Sequence, residues 1–372
     1  MSEARVNNLS NESNTGGPTI TGITTFSGTN YFVPPVGSTA QRPENPEKGA
    51  LRFNTDIGSL EYYKGDGIGW VKVEASNDQL DGGTRGFILG GATPSQTDRI
   101  DSHNLSSPGT FVDFGNLFSG RYGCAATSSK SRAVIFGGYG SNNDTVDYLT
   151  MASTGDSVDA LNLPVNHKYC AAWSNGTRAC VAGSYYPAQI NNISYVSIAT
   201  LNYAVDFGDL TVKRGIMKAA NSTTRGIIGG GYTDGNSPTL TIDYVNTAST
   251  GNALDFGDLI TYTGQSGGGA CNATRALWGG SYNVAIGYIT MATLGNALDF
   301  GDAVNAWGHR PGMSSSTRGM WGGGKGGSSP YPPKTDVDYV EIATTGNAKD
   351  FGDLTNTIRT HMGGISNAHG GL

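Results

Sequence analysis

The sequence has few charged residues, few strong helix formers and no long apolar segment. Only 15% of its 372 residues are charged, against ~25% in typical soluble domains. Glycine accounts for 57 residues, and because each costs about 1 kcal/mol relative to alanine inside a helix, a helical bundle is excluded. Collagen is excluded because no strict Gly-X-Y period is present. The 37% hydrophobic content and 18 tyrosines argue against a disordered chain.

Runs of basic residues are also absent. The chain has 24 Lys and Arg residues against 30 Asp and Glu residues, a net charge of −6, whereas nucleic-acid surfaces need clustered cations. No apolar stretch approaches the ~18 residues of a membrane span. The N-terminal segment 1–14 lacks the apolar core of a secretory signal. We therefore expect no nucleic-acid partner, no membrane insertion and synthesis in a cytoplasm.

Metal-binding patterns are missing as well. The four cysteines have no C-x-x-C spacing, and the five histidines come from different parts of the chain without ligand spacing, so no metal and no cofactor are expected. Cys170 and Cys180 flank an Asn175-Gly176 turn and could face each other across a hairpin. A cytoplasmic origin favours free thiols instead.

What the sequence does contain is a repeat. Six segments begin with Thr/Ser-Arg, continue with apolar residues and end in glycines, and their arginines are 43 to 50 residues apart: Arg85, Arg132, Arg178, Arg225, Arg275 and Arg318. A DFG motif keeps the same phase and has a degenerate copy, Asp159-Ala160-Leu161; its phenylalanines are Phe114, Phe207, Phe256, Phe300 and Phe351. A third marker is an I/V-x-Y segment, in which Ser102 replaces the tyrosine of the first repeat. Repetition in phase predicts shared packing rather than six kinase-like magnesium sites.

Each period contains four short strand signals, A to D, separated by turns rich in Gly, Asn, Ser and Thr. Four antiparallel strands in ~47 residues are typical of one propeller blade. The sequence thus predicts an all-β fold with a six-bladed β-propeller over residues 84–372. The first repeat lacks a strand A and the chain ends with a spare one. We therefore predict that Met362–Asn367 pairs beside Phe87–Gly90 and closes the ring, which removes unpaired edges.

The repeats resemble kelch repeats, which carry a Gly-Gly after the second strand and an aromatic residue in the third. Here these features are the tyrosine series and the pairs Gly90-Gly91, Gly137-Gly138 and Gly279-Gly280. Phenylalanine stands in the last strand where kelch repeats usually have tryptophan, which indicates a divergent subclass. The resemblance implies the same kelch-like propeller that the period predicts.

The residues before the propeller divide into three parts. Residues 1–33 form a polar arm, residues 34–75 a small module and residues 76–83 a linker. The module reads as a three-stranded meander with strands at Ala50–Asn54, Ser59–Tyr63 and Gly69–Val73. A sheet this small is not expected to be stable alone in water. We therefore interpret it as an attachment module.

The segment GSTAQRPENPEKGALRFNTDIGSLEYYKGDGIGWVKV resembles modules in tail-fibre and other virion proteins of tailed bacteriophages. Its combination with a glycine-rich propeller resembles structural proteins of phages that infect marine cyanobacteria. The resemblance implies a virion protein, made in the host bacterial cytoplasm and anchored to other virion proteins through residues 1–75. It also implies a homo-oligomer, such as the trimer of a fibre.

The strand order sorts the loops onto two sides. The A–B and C–D turns are nearly constant between repeats, whereas the B–C and D–A loops differ. Binding residues are usually carried on loops of a rigid scaffold, so the variable side is predicted to bind a host-surface glycan or protein; packing of these aromatic residues under their own loops is the alternative. The candidates are His167, Tyr185, Tyr186, Tyr232, Tyr262, Tyr282, Trp307, His309 and Tyr331. Phe118 and Tyr122 lie in the same loops.

Catalysis is not expected, because glycoside hydrolysis needs two suitably spaced carboxylates and most acids here occupy repeated positions. The sequence therefore predicts a non-enzymatic tail fibre, or a tail or baseplate appendage, that contacts the host cell surface. One alternative is a capsid or neck decoration protein, with the propeller as a spacer or weak glycan binder. Another is a polysaccharide-degrading tailspike.

Overall fold

The computed structural model describes residues 33–65, 67–73, 84–92, 94–140, 143–262, 268–326, 332–355 and 359–369. Within these ranges the regular structure is β-strand, apart from two short 3-10 helices at Thr39–Gln41 and Asp234–Asn236. The predicted all-β fold is confirmed. The chain divides into two compact units, Met1–Asn77 and Asp78–Leu372. No helix in the described residues is long and apolar enough to cross a membrane.

The first unit contains a four-stranded sheet whose strands follow chain order: Val36–Gly37, Leu51–Asn54, Ser59–Tyr63 and Trp70–Lys72. The first two strands are parallel, and the remaining pairs are antiparallel. The three predicted strands are present within one residue of their expected bounds. The strand Val36–Gly37 was not predicted, because two residues are too short to show an alternating pattern.

A buried carboxylate ties this small sheet together. Glu61 is fully buried and accepts hydrogen bonds from Arg42 Nη2 at 2.6 Å and Asn54 Nδ2 at 3.1 Å, while Arg52 Nη1 lies 3.4 Å away. The hydrogen bond from Arg42 is the main cause of the lowered pKa of Glu61. Because a sheet of this size buries little apolar area, we infer that the charge network is important for its stability.

Replacement of Glu61 by alanine is expected to destabilise the first unit by about 2–3 kcal/mol, because charged donors lose their acceptor. The wild-type contribution is present above the unfolded carboxyl pKa of ~4.3 and is lost as pH falls through the lower folded pKa. Amide hydrogen exchange of strands Leu51–Asn54 and Ser59–Tyr63 measures both effects. The exposed Glu44→Ala is the control, and equal exchange in the two variants would contradict the assignment.

The second unit contains six four-stranded antiparallel sheets in its described residues, each with strand order A-B-C-D. From the first sheet to the sixth, the A strands are Gly363–Ser366, Ala125–Ser128, Ala171–Ser174, Lys218–Asn221, Ala270–Cys271 and Gly312–Ser314. The B strands are Arg85–Leu89, Arg132–Phe136, Arg178–Ser184, Arg225–Gly229, Arg275–Trp278 and Arg318–Gly322. The C strands are Arg99–Asn104, Thr145–Thr150, Ile190–Ser197, Thr241–Asn246, Ala285–Thr290 and Asp336–Glu341. The D strands are Val112–Asn116, Val158–Asn162, Val205–Asp209, Leu254–Asp258, Leu298–Asp302 and Lys349–Asp353.

Short two-stranded ladders also join the loops at one end of these sheets. They pair Arg121–Tyr122 with Tyr139–Gly140, Tyr232–Thr233 with Ser237–Pro238, and Trp307–Gly308 with Lys325–Gly326. Each ladder fixes residues of the loops that the sequence predicted to be variable.

The first sheet combines the two ends of the second unit. Gly363–Ser366 pairs antiparallel with Arg85–Leu89, with Gly363 opposite Leu89 and Ser366 opposite Gly86. The predicted pairing of the C-terminal strand with the first repeat is therefore confirmed, and the observed strand is one residue shorter at each end. Ile365 joins Phe87 in a buried cluster between the first and second sheets.

The A strands contact one another in cyclic order, from the first sheet to the sixth and back to the first. Serine side chains link their C-terminal ends: Ser174 Oγ donates to the Ser128 carbonyl at 2.5 Å, Ser128 Oγ to the Ser366 carbonyl at 2.8 Å, and Ser366 Oγ to the Ser314 carbonyl. The buried His369 adds an Nδ1 contact of 3.1 Å to Ser128 Oγ. A cavity of about 40 Å³ remains between the strands, with room for a few water molecules.

The repeat arginines connect each sheet to the next. Five of them stack on a strand-C tyrosine of their own sheet, with guanidinium carbons 4.8–5.1 Å from the centroids of Tyr148, Tyr195, Tyr244, Tyr288 and Tyr339. In the first sheet, where Ser102 replaces the tyrosine, Arg85 lies 5.8 Å from the Phe114 ring. Each Nη1 then donates at 2.6–3.3 Å to a carbonyl of the following sheet: Met151, Ile198, Thr247, Met291, Ile342 and, from Arg318, Leu105 of the first sheet.

The DFG motif is a packing device, as the sequence predicted. All five phenylalanines are buried, and four meet the strand-C tyrosine edge-on at 5.7–5.9 Å between centroids. The following glycine has a positive φ and lies against the next sheet. A Cβ on Gly257 would be 2.5 Å from the Gly295 carbonyl oxygen, while the Gly295 N–H donates to the Phe256 carbonyl at 2.9 Å. The motif phenylalanine therefore packs in the core between neighbouring sheets, and the motif glycine allows their backbones to approach closely.

The four cysteines are buried free thiols. In the third sheet Trp173, not Cys170, lies opposite Cys180, so the strand register does not bring the two thiols face to face. Burial raises the pKa of Cys170 to about 12. The free-thiol interpretation is confirmed.

Candidate functional site

Among the described residues, left-handed backbone conformation occurs just before strand A at Gly123 (φ 64°), Tyr169 (φ 53°), Ile216 (φ 59°), His309 (φ 60°) and His361 (φ 57°). This conformation costs a non-glycine residue about 1–2 kcal/mol. The N–H groups of Gly123, Tyr169 and Ile216 donate to the carbonyls of His361, Gly123 and Tyr169 at 2.7–2.8 Å. The hydrogen bonds bring side chains from neighbouring sheets together at the D–A loops.

Aromatic rings meet around these loop residues. The rings of His309 and His361 are 3.6 Å apart, and Tyr122 and Tyr169 lie 5.8 and 5.7 Å from His361. Further ring contacts of 5.1–6.3 Å extend outward through the pairs Tyr122–Tyr139, Tyr139–Tyr186, Tyr169–Tyr185, Tyr185–Tyr232 and Tyr282–His309. We call this set the aromatic surface: Tyr122, Tyr139, Tyr169, Tyr185, Tyr186, Tyr232, Tyr282, His309 and His361.

The structure brings five predicted residues into the aromatic surface: Tyr185, Tyr186, Tyr232, Tyr282 and His309. His309 is only 6% exposed, so its expected role in direct contact with a ligand is corrected: its ring packs beneath its neighbours. Trp307 precedes His309 by two residues, with Lys334 Nζ 5.0 Å from its ring centroid. Tyr262 is 52% exposed, and its carbonyl accepts a hydrogen bond from Ser281 Oγ at 3.4 Å. Tyr331 lies outside the described residues.

His167, another predicted residue, is buried away from this surface. His167 is fully buried, and its Nδ1 lies 2.8 Å from the Gly183 carbonyl oxygen. It occupies the loop position that Arg121 takes in the second sheet. Burial lowers the pKa of His167 to about 4, so it is a neutral core residue at pH 7, and its expected role on the binding side is corrected accordingly.

Cations flank the aromatic surface. Lys168 Nζ lies 4.9 Å from the ring centroid of Tyr139 and 5.1 Å from that of Tyr186. Such contacts stabilise the ammonium by ~0.5–2 kcal/mol and fix the orientation of both rings. Tyr185 is held by a hydrogen bond from its hydroxyl to Asn236 Oδ1 at 2.6 Å. Rings at this surface are therefore held in place by their neighbours.

Burial shifts the pKa of two histidines and two tyrosines of the aromatic surface. Burial, followed by the neighbouring His361, lowers the pKa of His309 to about 2, and burial lowers that of His361 to about 4. Burial raises the pKa of Tyr122 and Tyr169. Across the residues that the structure describes, no group of three or more His, Cys, Asp or Glu side chains could hold a metal ion. The surface offers ring faces and hydrogen-bonding groups.

The sequence analysis missed Tyr139, Tyr169, His361 and Lys168. A usable signal was present, since Gly123, Tyr169, Ile216 and His309 each precede a repeat arginine by nine residues. The nine-residue spacing does not identify His361, because no repeat arginine follows it in the sequence. The left-handed conformation that gathers these residues has no mark in the sequence when the residue is not glycine.

Comparison with models of known protein families gave no match, and comparison with curated proteins gave none either.

Proposed function

We propose that residues 84–372 form a closed six-bladed kelch-like β-propeller. Three observations support this architecture: the cyclic contacts of the A strands, the arginine bonds that lead from the sixth sheet back to the first, and the pairing of Gly363–Ser366 with Arg85–Leu89. Buried clusters occupy the contact between each pair of consecutive sheets, including the sixth and the first. Radial repetition of this kind leaves only short edges exposed.

We further propose that the protein is a virion structural component, a tail fibre or a tail or baseplate appendage. The similarity of residues 34–74 to phage attachment modules supports this assignment. In this arrangement residues 1–75 bind other virion proteins and the propeller contacts the host cell, through a glycan or a protein. We propose a non-enzymatic role, because most acidic residues of the propeller occupy repeated positions and burial lowers the pKa of both histidines of the aromatic surface.

The aromatic surface carries the proposal of host contact. Its rings come from loops that differ between repeats, whereas the loops at the other ends of the strands are nearly constant. Aromatic residues held by a rigid scaffold are typical of recognition surfaces. Tyr186, 51% exposed, and Tyr139, 38% exposed, are the most exposed members of the aromatic surface.

Tyr186→Ala and Trp307→Ala are each expected to weaken binding of the fluorescent full-length protein to host cells about tenfold, a change equivalent to ~1.4 kcal/mol. Their melting temperatures should stay close to that of the wild type, because neither ring is fully buried. Leu298→Ala, 60% exposed on a strand D, is the matched control. Unchanged cell binding by Tyr186→Ala would exclude the aromatic surface as the contact, and unchanged binding by Trp307→Ala would exclude Trp307 from the contact.

The virion location is tested separately. Immunogold labelling of phage particles with an antibody against residues 84–372 is expected to place gold on the tail. Labelling of the head would instead support a decoration protein of the capsid, and particles without label would reject the virion assignment.

A further inference from the structure

The C–D turn of the third sheet differs from its counterparts. In the second, fourth, fifth and sixth sheets this turn contains a glycine followed by Asp or Asn. The Oδ1 atom of that Asp or Asn accepts a hydrogen bond, at 2.8–3.0 Å, from the N–H of the last strand-D residue in the preceding sheet. The acceptors are Asp156, Asn252, Asn296 and Asn347. The third sheet has Asn202 and Tyr203 at these two positions. A tyrosine ring cannot supply the side-chain oxygen, so this turn lacks the hydrogen bond that the second, fourth, fifth and sixth sheets share.

A matching change in the preceding sheet explains how the turn is accommodated. The degenerate motif of the second sheet has Ala160 in place of phenylalanine and Leu161 in place of glycine. Leu201 turns inward with φ 45°, is 7% exposed, and joins the buried cluster beside Ala160 and Leu161. Leu201 thus occupies core space between these sheets that is filled by the motif phenylalanine elsewhere. The same turn leaves Tyr203 63% exposed.

Tyr203 borders a groove of about 350 Å³ on the side of the A–B and C–D turns, lined by Thr177, Arg178, Tyr195, Ser197, Thr200, Asn202, Tyr203 and Val205. Its volume falls within the ~300–1,000 Å³ range of small-molecule sites. The counterpart groove of the sixth sheet has about 240 Å³ and lies below that range. The larger of these two grooves therefore lies at a turn that departs from the repeated pattern.

The groove also differs in charge from its counterpart. In the sixth sheet Arg318 Nε donates to Glu341 Oε1 at 3.0 Å, but in the third sheet Ser197 is paired in register with Arg178. The Arg178 guanidinium stacks on Tyr195 at 4.8 Å and uses Nη1 for the next sheet. No carboxylate belongs to the lining. The Arg178 guanidinium therefore has no acidic partner among the residues that line the groove.

We propose that this groove binds a pyranose saccharide unit. Tyr203 supplies an accessible ring against which the apolar face of a sugar can pack. Thr200 Oγ1 donates to Asn202 Oδ1 at 3.2 Å, which fixes the amide and leaves its nitrogen as a donor for a sugar hydroxyl. The hydroxyls of Thr177 and Ser197 and the guanidinium of Arg178 complete a set of short polar groups around one aromatic ring. A polyhydroxylated ring matches this combination better than an apolar ligand, which would leave these groups unpaired.

This site is separate from the aromatic surface, which lies on loops at the other ends of the strands. It depends on the third sheet alone, so its existence does not require the proposed role in a virion. Host-cell binding through the aromatic surface and saccharide binding in the groove can therefore fail independently.

The test uses the full-length protein, with isotope-labelled tyrosine and asparagine, titrated in NMR experiments with the methyl glycosides of glucose, galactose, N-acetylglucosamine and glucuronic acid. At least one glycoside is expected to shift the Tyr203 ring and Asn202 side-chain signals. Tyr203→Ala is expected to reduce that affinity about tenfold or more without changing the melting temperature, since the ring is 63% exposed.

Leu294→Ala is the matched control, because Leu294 is 58% exposed on the C–D turn of the fifth sheet. Its affinity should remain within twofold of the wild type. The proposal is overturned if none of the four glycosides shifts the Tyr203 and Asn202 signals, or if binding survives Tyr203→Ala unchanged.

Discussion

A chain that ends at Thr360 is expected to lose the cooperative unfolding transition of the second unit. The truncation removes strand Gly363–Ser366 and leaves the edge of Arg85–Leu89 unpaired. It also removes Ile365 from the cluster around Phe87, and Met362 from the cluster around Ile88. Each buried aliphatic side chain contributes about 2–5 kcal/mol, and domains of this kind have only ~5–15 kcal/mol in total. The loss of two side chains and a full strand ladder is therefore comparable with the whole stability.

Thermal denaturation followed by circular dichroism checks this expectation, and Ile365→Val serves as the matched variant. Removal of one methyl group should cost only ~0.5–1.5 kcal/mol and leave a single sharp transition. Addition of a synthetic peptide covering residues 361–372 to the truncated protein should restore part of the transition. A truncated chain that melts within a few degrees of the wild type would show that the C-terminal strand does not hold the first sheet.

Phe256→Ala is expected to lower the free energy of unfolding by about 3–5 kcal/mol. The ring is 3% exposed and packs with Ile227, Trp278 and other residues of the fourth and fifth sheets. It also meets Tyr244 edge-on at 5.9 Å, so its removal leaves a cavity bordered by two sheets. The neighbouring strands Thr241–Asn246 and Arg275–Trp278 are fixed in their hydrogen-bond ladders, so that space is expected to stay largely unfilled.

Leu254→Ala provides the control for this substitution. Leu254 lies two residues earlier on the same strand but is 58% exposed, so its loss should change stability by less than ~0.5 kcal/mol. Urea denaturation of both variants measures the difference directly. A loss under 1 kcal/mol for Phe256→Ala would contradict the role of the motif phenylalanine as core between sheets.

Much of the second unit could be predicted from the sequence, because the residues that pack each sheet against the next recur at the same positions in its six repeats. The arginine that begins strand B, the glycines that follow it and the DFG phenylalanine each recur in phase, so chance variation at one position does not obscure the pattern. The pairing of the terminal strand followed from counting one missing and one spare strand signal. Ser102, the exception among the tyrosines, also has a clear consequence, since Arg85 stacks on Phe114 instead.

The remaining features depend on contacts between repeats, which no local pattern records. Arg214 and Arg310 are fully buried and form ion pairs with Asp243 and Asp338 at 3.1 and 2.6 Å, although charged side chains are usually exposed. Arg214 lies four residues before its strand A and Arg310 two residues before its own, so the two do not share one spacing. The candidate site was predicted only in part for the same reason. Tyr169 and His361 join the site because their backbone is left-handed. A sequence indicates that conformation only where the residue is glycine.

The hydrogen bonds between Arg85 and Asn367 have a consequence for the architecture of the gene. The Arg85 N–H donates to Asn367 Oδ1 at 2.9 Å, and the Asn367 N–H donates to the Arg85 carbonyl at 3.2 Å. Entry to and exit from the second unit therefore adjoin, a property that favours circular permutation. A gene that joined these ends and started instead at the Ser222–Thr224 turn could encode the same set of strand pairings. The repeat that is translated first can therefore change while each sheet keeps the same neighbours.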